Sequence, residues 1–336
     1  MTSTWWQRFV SGLRSASAKA LARSSRAPAG KYPATYWPWD GQVWNDAPRP
    51  NVFDPAVRQF NCAFRLGDPM FDSPVQAEQW RAARRRVIDH VLKVVSQSSW
   101  RDNLVLRGSL LLKVWFGDAA REPGDLDWTI TPKEIRITGT WADELFAGLI
   151  RRVCEDPGAA DVGLLVDQVA TDHIWTYERA PGWRVVFPWR VGDLPPGGVQ
   201  NDFVFGEELA VPPALTPIPT TDGSGTYDVL AAGIEQSLAW KLLWLATDIY
   251  PQGKDLYDAV LLAERAPLSA DVVARTFAIA GTPLKELTSP LDWNVDWDNF
   301  KLEAPWVPGD RLHWQTRLAD ALRPTFEALT GRSSTG

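Results

Sequence analysis

Residues 103–130 read NLVLRGSLLLKVWFGDAAREPGDLDWTI. A short apolar run is followed by Gly108-Ser109, an apolar helical run, and Asp125-Leu126-Asp127 opening a second apolar run. The pattern predicts a strand over 103–107, a helix, and a strand over 127–131. Gly108 lets the backbone turn sharply and approach a ligand closely. The helix after it presents free N–H groups and a positive dipole end, with the Ser109 hydroxyl beside them, an arrangement fit for a β- or γ-phosphate.

On a strand, residues i and i+2 share a face. Asp125 and Asp127 therefore converge while Leu126 points into the core. Like charges that close repel, and magnesium favours such oxygen ligands shared with substrate phosphates. A third acid, Asp202, stands in VQNDFVFGEEL between Val199, Phe203 and Phe205. An acid within such a strand is costly to bury unless it is paired or metal-bound. If this strand lies beside that of Asp127, three carboxylates meet and are enough to hold two metal ions.

Lys241 sits in SLAWKLLWLATD, flanked by Trp240, Leu242, Leu243 and Trp244. It can snorkel out of this apolar surface or present its ammonium to triphosphate. GKDLYDAVLL follows, with Lys254, Asp255 and Asp258. Asp255 and Asp258 share a helical face, so one of them could orient Lys241 or take a proton from an attacking hydroxyl.

Around this constellation, residues 3–25 and 74–96 read as helices, and 28–58, rich in Pro, Gly and Trp, as an irregular surface segment. Arg81, Arg84 and Arg85 share a face of the 74–96 helix and are candidate RNA-backbone contacts. A helix is expected over 141–154, with strands near 162–169, 183–190 and 199–205. VPPALTPIP (211–219) reads as a linker, because its prolines break helix and strand alike. Helices then follow over 229–248, 254–265, 269–280 and 310–330. The layout is an α/β half followed by a helical half.

The 336 residues suffice for one large domain or two medium ones. A formal charge of −6 excludes a globally basic nucleic-acid binder, so a polyanionic partner would need a local basic patch. Arg8, Arg14, Lys19, Arg23, Arg26 and Lys31, with no acid before Asp40, make residues 1–39 a basic arm, read first as a docked or frayed terminal helix. Nineteen tryptophans are spread along the chain and read mainly as packing. Cys62 and Cys154 form no zinc or disulfide pattern, which suits a reducing cytoplasm. No segment has the length and apolarity of a membrane span. His90, His173 and His313 read as incidental.

Each piece is weak alone, but their order and spacing are jointly more specific. The series Gly-Ser, Asp-x-Asp, Asp, Lys and Lys-Asp-x-x-Asp, over roughly residues 100–265, resembles the AbiEii-type nucleotidyltransferase toxins of the DNA polymerase β-like superfamily. The resemblance implies an α+β fold: a polymerase β-like mixed sheet with flanking helices, then a helical C-terminal half. It divides the chain into an arm and irregular segment (1–60), a nucleotidyltransferase domain (61–219) and a helical domain contributing Lys and Asp to the site (220–336). Asp125, Asp127 and Asp202 would bind two magnesium ions. Gly108, Ser109, Lys113, Lys241 and Asp255 would hold the NTP, and Asp258 or Asp255 would complete the site.

The implied activity is NMP transfer to the 3′ end of tRNA, blocking translation, by a toxin with a cognate antitoxin. Transfer to a protein hydroxyl, or a catalytically silent nucleotide-binding module, are the alternatives. Two features depart from the family pattern: a long Ser109-to-Asp125 interval bearing Arg121, and unmatched ends, including Trp293, Trp297, Trp306 and Trp314.

Overall fold

The computed structural model describes residues 32–36, 47–156, 162–177 and 179–333. The expected helix over 3–25 and the basic residues of the arm lie outside them.

The described strands are β1 (Asn51–Phe53), β2 (Phe64–Leu66), β3 (Leu104–Arg107), β4 (Asp125–Ile130), β5 (Gly163–Leu164), β6 (Ala170–Thr176), β7 (Ala180–Arg190), β8 (Gly197–Val204), β9 (Ala214–Pro219) and β10 (Thr226–Ala231). β1 and β2 pair with each other. The rest form one sheet in the order β5-β7-β8-β4-β3-β10-β9, with β6 also on β7. β4 runs parallel to β8 and β10 parallel to β3; the other pairings are antiparallel, so the sheet is mixed.

Helix α1 (Pro74–Ser96) is opened by Ser73, whose hydroxyl accepts from the Gln76 amide, with Pro74 in the first turn. With α3 (Thr140–Glu155) it covers one face of the sheet. Leu104, Leu106, Leu126, Trp128 and Ile130 point into this core. Strand alternation sends Val105 to the opposite face, where it joins a second core built by the helical half. Asp125 and Asp127 share that opposite face, which places them between the sheet and the helices.

The helical half contains α4 (Ile234–Thr247), α5 (Gly253–Arg265), α6 (Ala270–Ile279), α7 (Trp297–Glu303) and α8 (Arg311–Ser333). Every residue of α4 from Gln236 to Leu245 is buried, as expected of a helix apolar on all sides. Trp293, Trp297 and Trp314 fill this core, whereas Trp306 is exposed. Among the described residues no helix is long and apolar enough to cross a membrane.

Five expectations change. The proline-rich stretch 211–219 is no linker: 214–219 forms β9 at the sheet edge, antiparallel to β10. Pro217 and Pro219 are two residues apart and so share a side of the ladder, and an edge strand can leave that side unpaired. The helix expected from residue 229 starts at Ile234, because 226–231 is taken by β10, and the expected boundary at 219/220 falls inside the β9–β10 hairpin. The 162–169 strand shortens to β5, followed by the longer β6, and the irregular segment 28–58 contains β1.

Phe146 of α3 ties the helix layer to the sheet. Its ring stacks on Trp183 at 4.3 Å and meets Phe203 edge-on at 5.2 Å. Phe146→Ala is expected to destabilise the fold by about 3–5 kcal/mol, read as a lowered midpoint in urea denaturation.

Candidate active site

Antiparallel pairing of β3 with β4 sets Arg107 opposite Asp127, and the chain leaves β3 through Gly108 into α2 (Ser109–Phe116). Gly108 has φ of 87°, and a Cβ there would stand 2.3 Å from Asp127 Oδ2. Both backbone conformation and the nearness of the carboxylate require glycine. The Ser109 hydroxyl donates to Asp125 Oδ1 at 2.9 Å, so it orients an acid rather than standing free for phosphate.

Parallel pairing of β4 with β8 puts Asp202 directly beside Asp127, as the sequence reading required. These three acids, Gly108, Ser109 and Lys241 line one cleft, with Asp255 on its helical wall. The cleft opens to solvent and is lined mainly by charged and polar side chains.

The three acids differ in their surroundings. Burial and the adjacent Asp125 push the Asp127 carboxyl up to about 7, with Arg107 opposing. Asp127 makes no hydrogen bond among the described residues. For Asp125 burial acts upward, but Lys254, Arg121 and the Ser109 hydroxyl outweigh it and hold the carboxyl below its ordinary range. Asp202 is gripped by Arg184, its register partner on β7: Nε donates to Oδ1 and Nη2 to Oδ2, both at 2.8 Å. Arg184 Nη1 donates at 2.6 Å to Asp54, an acid from the segment after β1. Despite burial, Arg184 and Arg65 bring Asp54 down to about 2.

Lys241 Nζ donates to Asp255 Oδ1 at 2.7 Å and to Asp258 Oδ2 at 3.0 Å. Arg121, on the long loop between α2 and β4, grips Asp258 with Nε and Nη2 at 3.1 and 2.9 Å. Burial would raise Asp258, but Arg121 and Lys241 hold it at about 2. Such a carboxylate orients Lys241 and is poorly suited to take a proton; Asp258 also stands behind Lys241 rather than on the cleft wall. Lys113 lies off the cleft, paired with Asp118 at 3.2 Å and Glu122 at 3.6 Å.

The candidate RNA contacts are neutralised. Arg84 is buried on Asp68 at 2.6 Å and over the Trp80 ring, Arg81 pairs with Glu78, and Arg85 with Glu78 and Glu122. They form no free cationic stripe.

Sequence reading gave no role to Asp54, Arg184 or Lys254. Lys254 lines the cleft and the cavity behind Asp125, and makes no ion pair among the described residues. Arg184, a charge amid the apolar GWRVVFPW, could have been flagged by the logic that found Asp202. Asp54 carried no such signal. Trp240 and Trp244 wall the cleft, with Arg107 against both rings at 5.4 and 5.3 Å and Tyr177 stacked on Trp244 at 3.9 Å.

Among the described residues, no group of three or more His, Cys, Asp and Glu side chains is arranged to hold a metal ion unaided. Asp125 and Asp127 fit a magnesium ion that takes its remaining ligands from substrate, because Asp127 lacks a partner and repulsion between the two carboxylates favours a cation.

Two expected outcomes follow from this geometry. Gly108→Ala is expected to displace the Asp127 carboxylate and, if the cleft takes an NTP with magnesium, to weaken that binding at least tenfold by calorimetry. Asp127→Asn raises the metal-free melting temperature at pH 8, with little effect at pH 4. The sign follows from linkage: a carboxyl raised from about 4 to about 7 is a folded-state cost once ionised, absent below pH 4 and growing through pH 7.

The profile of the nucleotidyl transferase AbiEii toxin family, type IV toxin–antitoxin system, matches residues 90–329. No curated protein matches the chain. A crystal structure described as a "putative nucleotidyltransferase from H. pylori" aligns with a TM-score of 0.42 and 13% identity, covering 77% of this chain and 98% of that one. The family match spans well over half of the sequence and takes in the glycine turn, the paired acids, Asp202 and the lysine–aspartate network, so the chain belongs to the AbiEii family of nucleotidyltransferase toxins.

Proposed function

We propose that this toxin transfers a nucleoside monophosphate from an NTP to the 3′ end of tRNA, stopping translation until a cognate antitoxin restrains it. The observation that carries the reading is Asp127, without a hydrogen bond among the described residues, beside Asp125 in a cleft that also holds the glycine turn and Lys254. Magnesium held by Asp125 and Asp127 would supply charge neutralisation for the triphosphate.

The protein's own groups position the reactants. The Gly108 turn and the N-terminus of α2 receive phosphate oxygens. Lys254 adds a point charge at the same end. Lys241 is fixed by Asp255 and Asp258, which makes it a rigid part of the cleft wall. The acceptor hydroxyl oxygen bonds to the α-phosphorus, the α–β anhydride bond breaks, pyrophosphate leaves, and the hydroxyl proton passes to solvent. Most of the rate enhancement would come from alignment and from charges already in place.

A second reading, transfer to a protein hydroxyl, is favoured by one observation: Arg81, Arg84 and Arg85 are spent on carboxylates, leaving the α1 face without the track expected for an RNA backbone. Incubation with magnesium, total tRNA, a cell extract and each α-labelled NTP separates the two. Label is expected on tRNA, reduced at least a thousandfold in Asp127→Ala while that variant keeps its circular dichroism spectrum. Label on protein alone would replace the first reading with the second, and equal labelling by Asp127→Ala would refute the site.

A further inference from the structure

Asp202 stands where a third metal ligand is expected, yet both its oxygens face inward to a guanidinium. Arg184 meets it in the two-pronged geometry that matches carboxylate best. Gln200 Nε2 adds a donor to Oδ2 at 3.1 Å. The third prong of Arg184 is fixed on Asp54, whose other oxygen accepts from the Ala56 amide at 3.1 Å. Arg184 is only 3% exposed and belongs to a central stretch of β7 held on both sides by β6 and β8. A guanidinium stays protonated in any protein setting, so its charge cannot be titrated away.

We propose that this active site works with one divalent cation, held by Asp125 and Asp127, and that Arg184 stands as a permanent positive charge in place of a second. The inference rests on the nucleotide reading above and concerns what that same site admits.

Charge arithmetic supports it. Asp54, Asp125, Asp127 and Asp202 bring four negative charges to one side of the cleft. Arg184 serves two of them with three short hydrogen bonds. A second cation at Asp202 would either sit on the one lone pair left on Oδ1, against the fixed charge of Arg184, or break the bidentate pair and leave Arg184 buried without that partner. The two remaining acids, one lightly held by Ser109 and the other free of hydrogen bonds, match the demand of a single ion that keeps substrate oxygens in its shell. Arg184 is thus a positioning residue: it acts on the metal count through Asp202.

Equilibrium dialysis of the full chain against Mn²⁺ and saturating α,β-methylene analogues of ATP, CTP, GTP and UTP in turn tests this. Manganese retained per bound nucleotide is counted. One ion is expected in the native protein, with the count unchanged in Asp202→Asn. Arg184→Gln, checked for folding by circular dichroism, is expected to raise the count to two by freeing the Asp202 oxygens. A count of two in the native protein, or a drop in Asp202→Asn, would overturn the inference and leave the nucleotide reading standing. A folded Arg184→Gln that still retains one ion would remove Arg184 from the explanation. No nucleotide-dependent manganese with any analogue would overturn both readings.

Discussion

The parallel ladder between β4 and β8 fixes everything chemical in this protein. Its register places Asp127 beside Asp202, and the antiparallel ladder with β7 places Arg184 beside Asp202 in turn. A one-residue slip in either would send these side chains to the opposite face, into the core packed by α1 and α3. The slip is resisted because the intervening residues are Leu126, Trp128, Val185 and Phe203, all within that core. Apolar packing on one face thus sets the charge geometry of the other.

The helical half is held to the sheet by a buried chain of charges. Lys241 and Arg121 share Asp258, and Lys241 also holds Asp255. Arg121 comes from the sheet side and the others from α4 and α5, so the long loop that departs from the family pattern closes this junction. Buried ion pairs add little net stability against an apolar alternative, but removing one member leaves a stranded charge. Such a junction favours a fixed relation between the halves. The cleft needs that relation, because Asp125, Asp127 and Asp202 come from the sheet and Lys241, Lys254 and Asp255 from the helices.

The sequence made the site's members legible where chemistry contradicts its surroundings. Asp202 in an apolar strand and Lys241 in an apolar helix both stood out, and both line the cleft. Asp125 and Asp127 were expected to share a face from their i, i+2 spacing, and they line the same cleft. Partnership was not readable. That Ser109 serves Asp125, that Arg184 takes both oxygens of Asp202, and that Asp54 joins from the β1 segment all depend on pairings across 16 to 130 residues of chain. Lys113 and the three α1 arginines look available in a helical projection, but loops bring Asp118 and Glu122 to Lys113, Asp68 to Arg84 and Glu122 to Arg85, and Glu78 of α1 itself takes Arg81 and Arg85. The prolines of β9 misled for a related reason: their cost depends on whether the strand lies at an edge, which local sequence does not reveal.

Among the described residues, every ionised group lining the cleft except two has a hydrogen-bond or ion-pair partner. Asp127 and Lys254 are the exceptions, one negative and one positive, at the same opening. Folding alone gains nothing from leaving them so; Asp127 is held at a cost that burial and Asp125 impose. That cost, at a carboxylate with no hydrogen bond among the described residues while Asp54, Asp202 and Asp258 are each gripped by a guanidinium, marks where the binding energy of a charged ligand would be taken up. In the proposed function, a polyphosphate carrying its own cation would meet both at once, the cation at Asp127 and Asp125 and the phosphate oxygens at Lys254. Neither half of such a ligand alone would settle both charges, so on that proposal nucleotide and metal are expected to bind together.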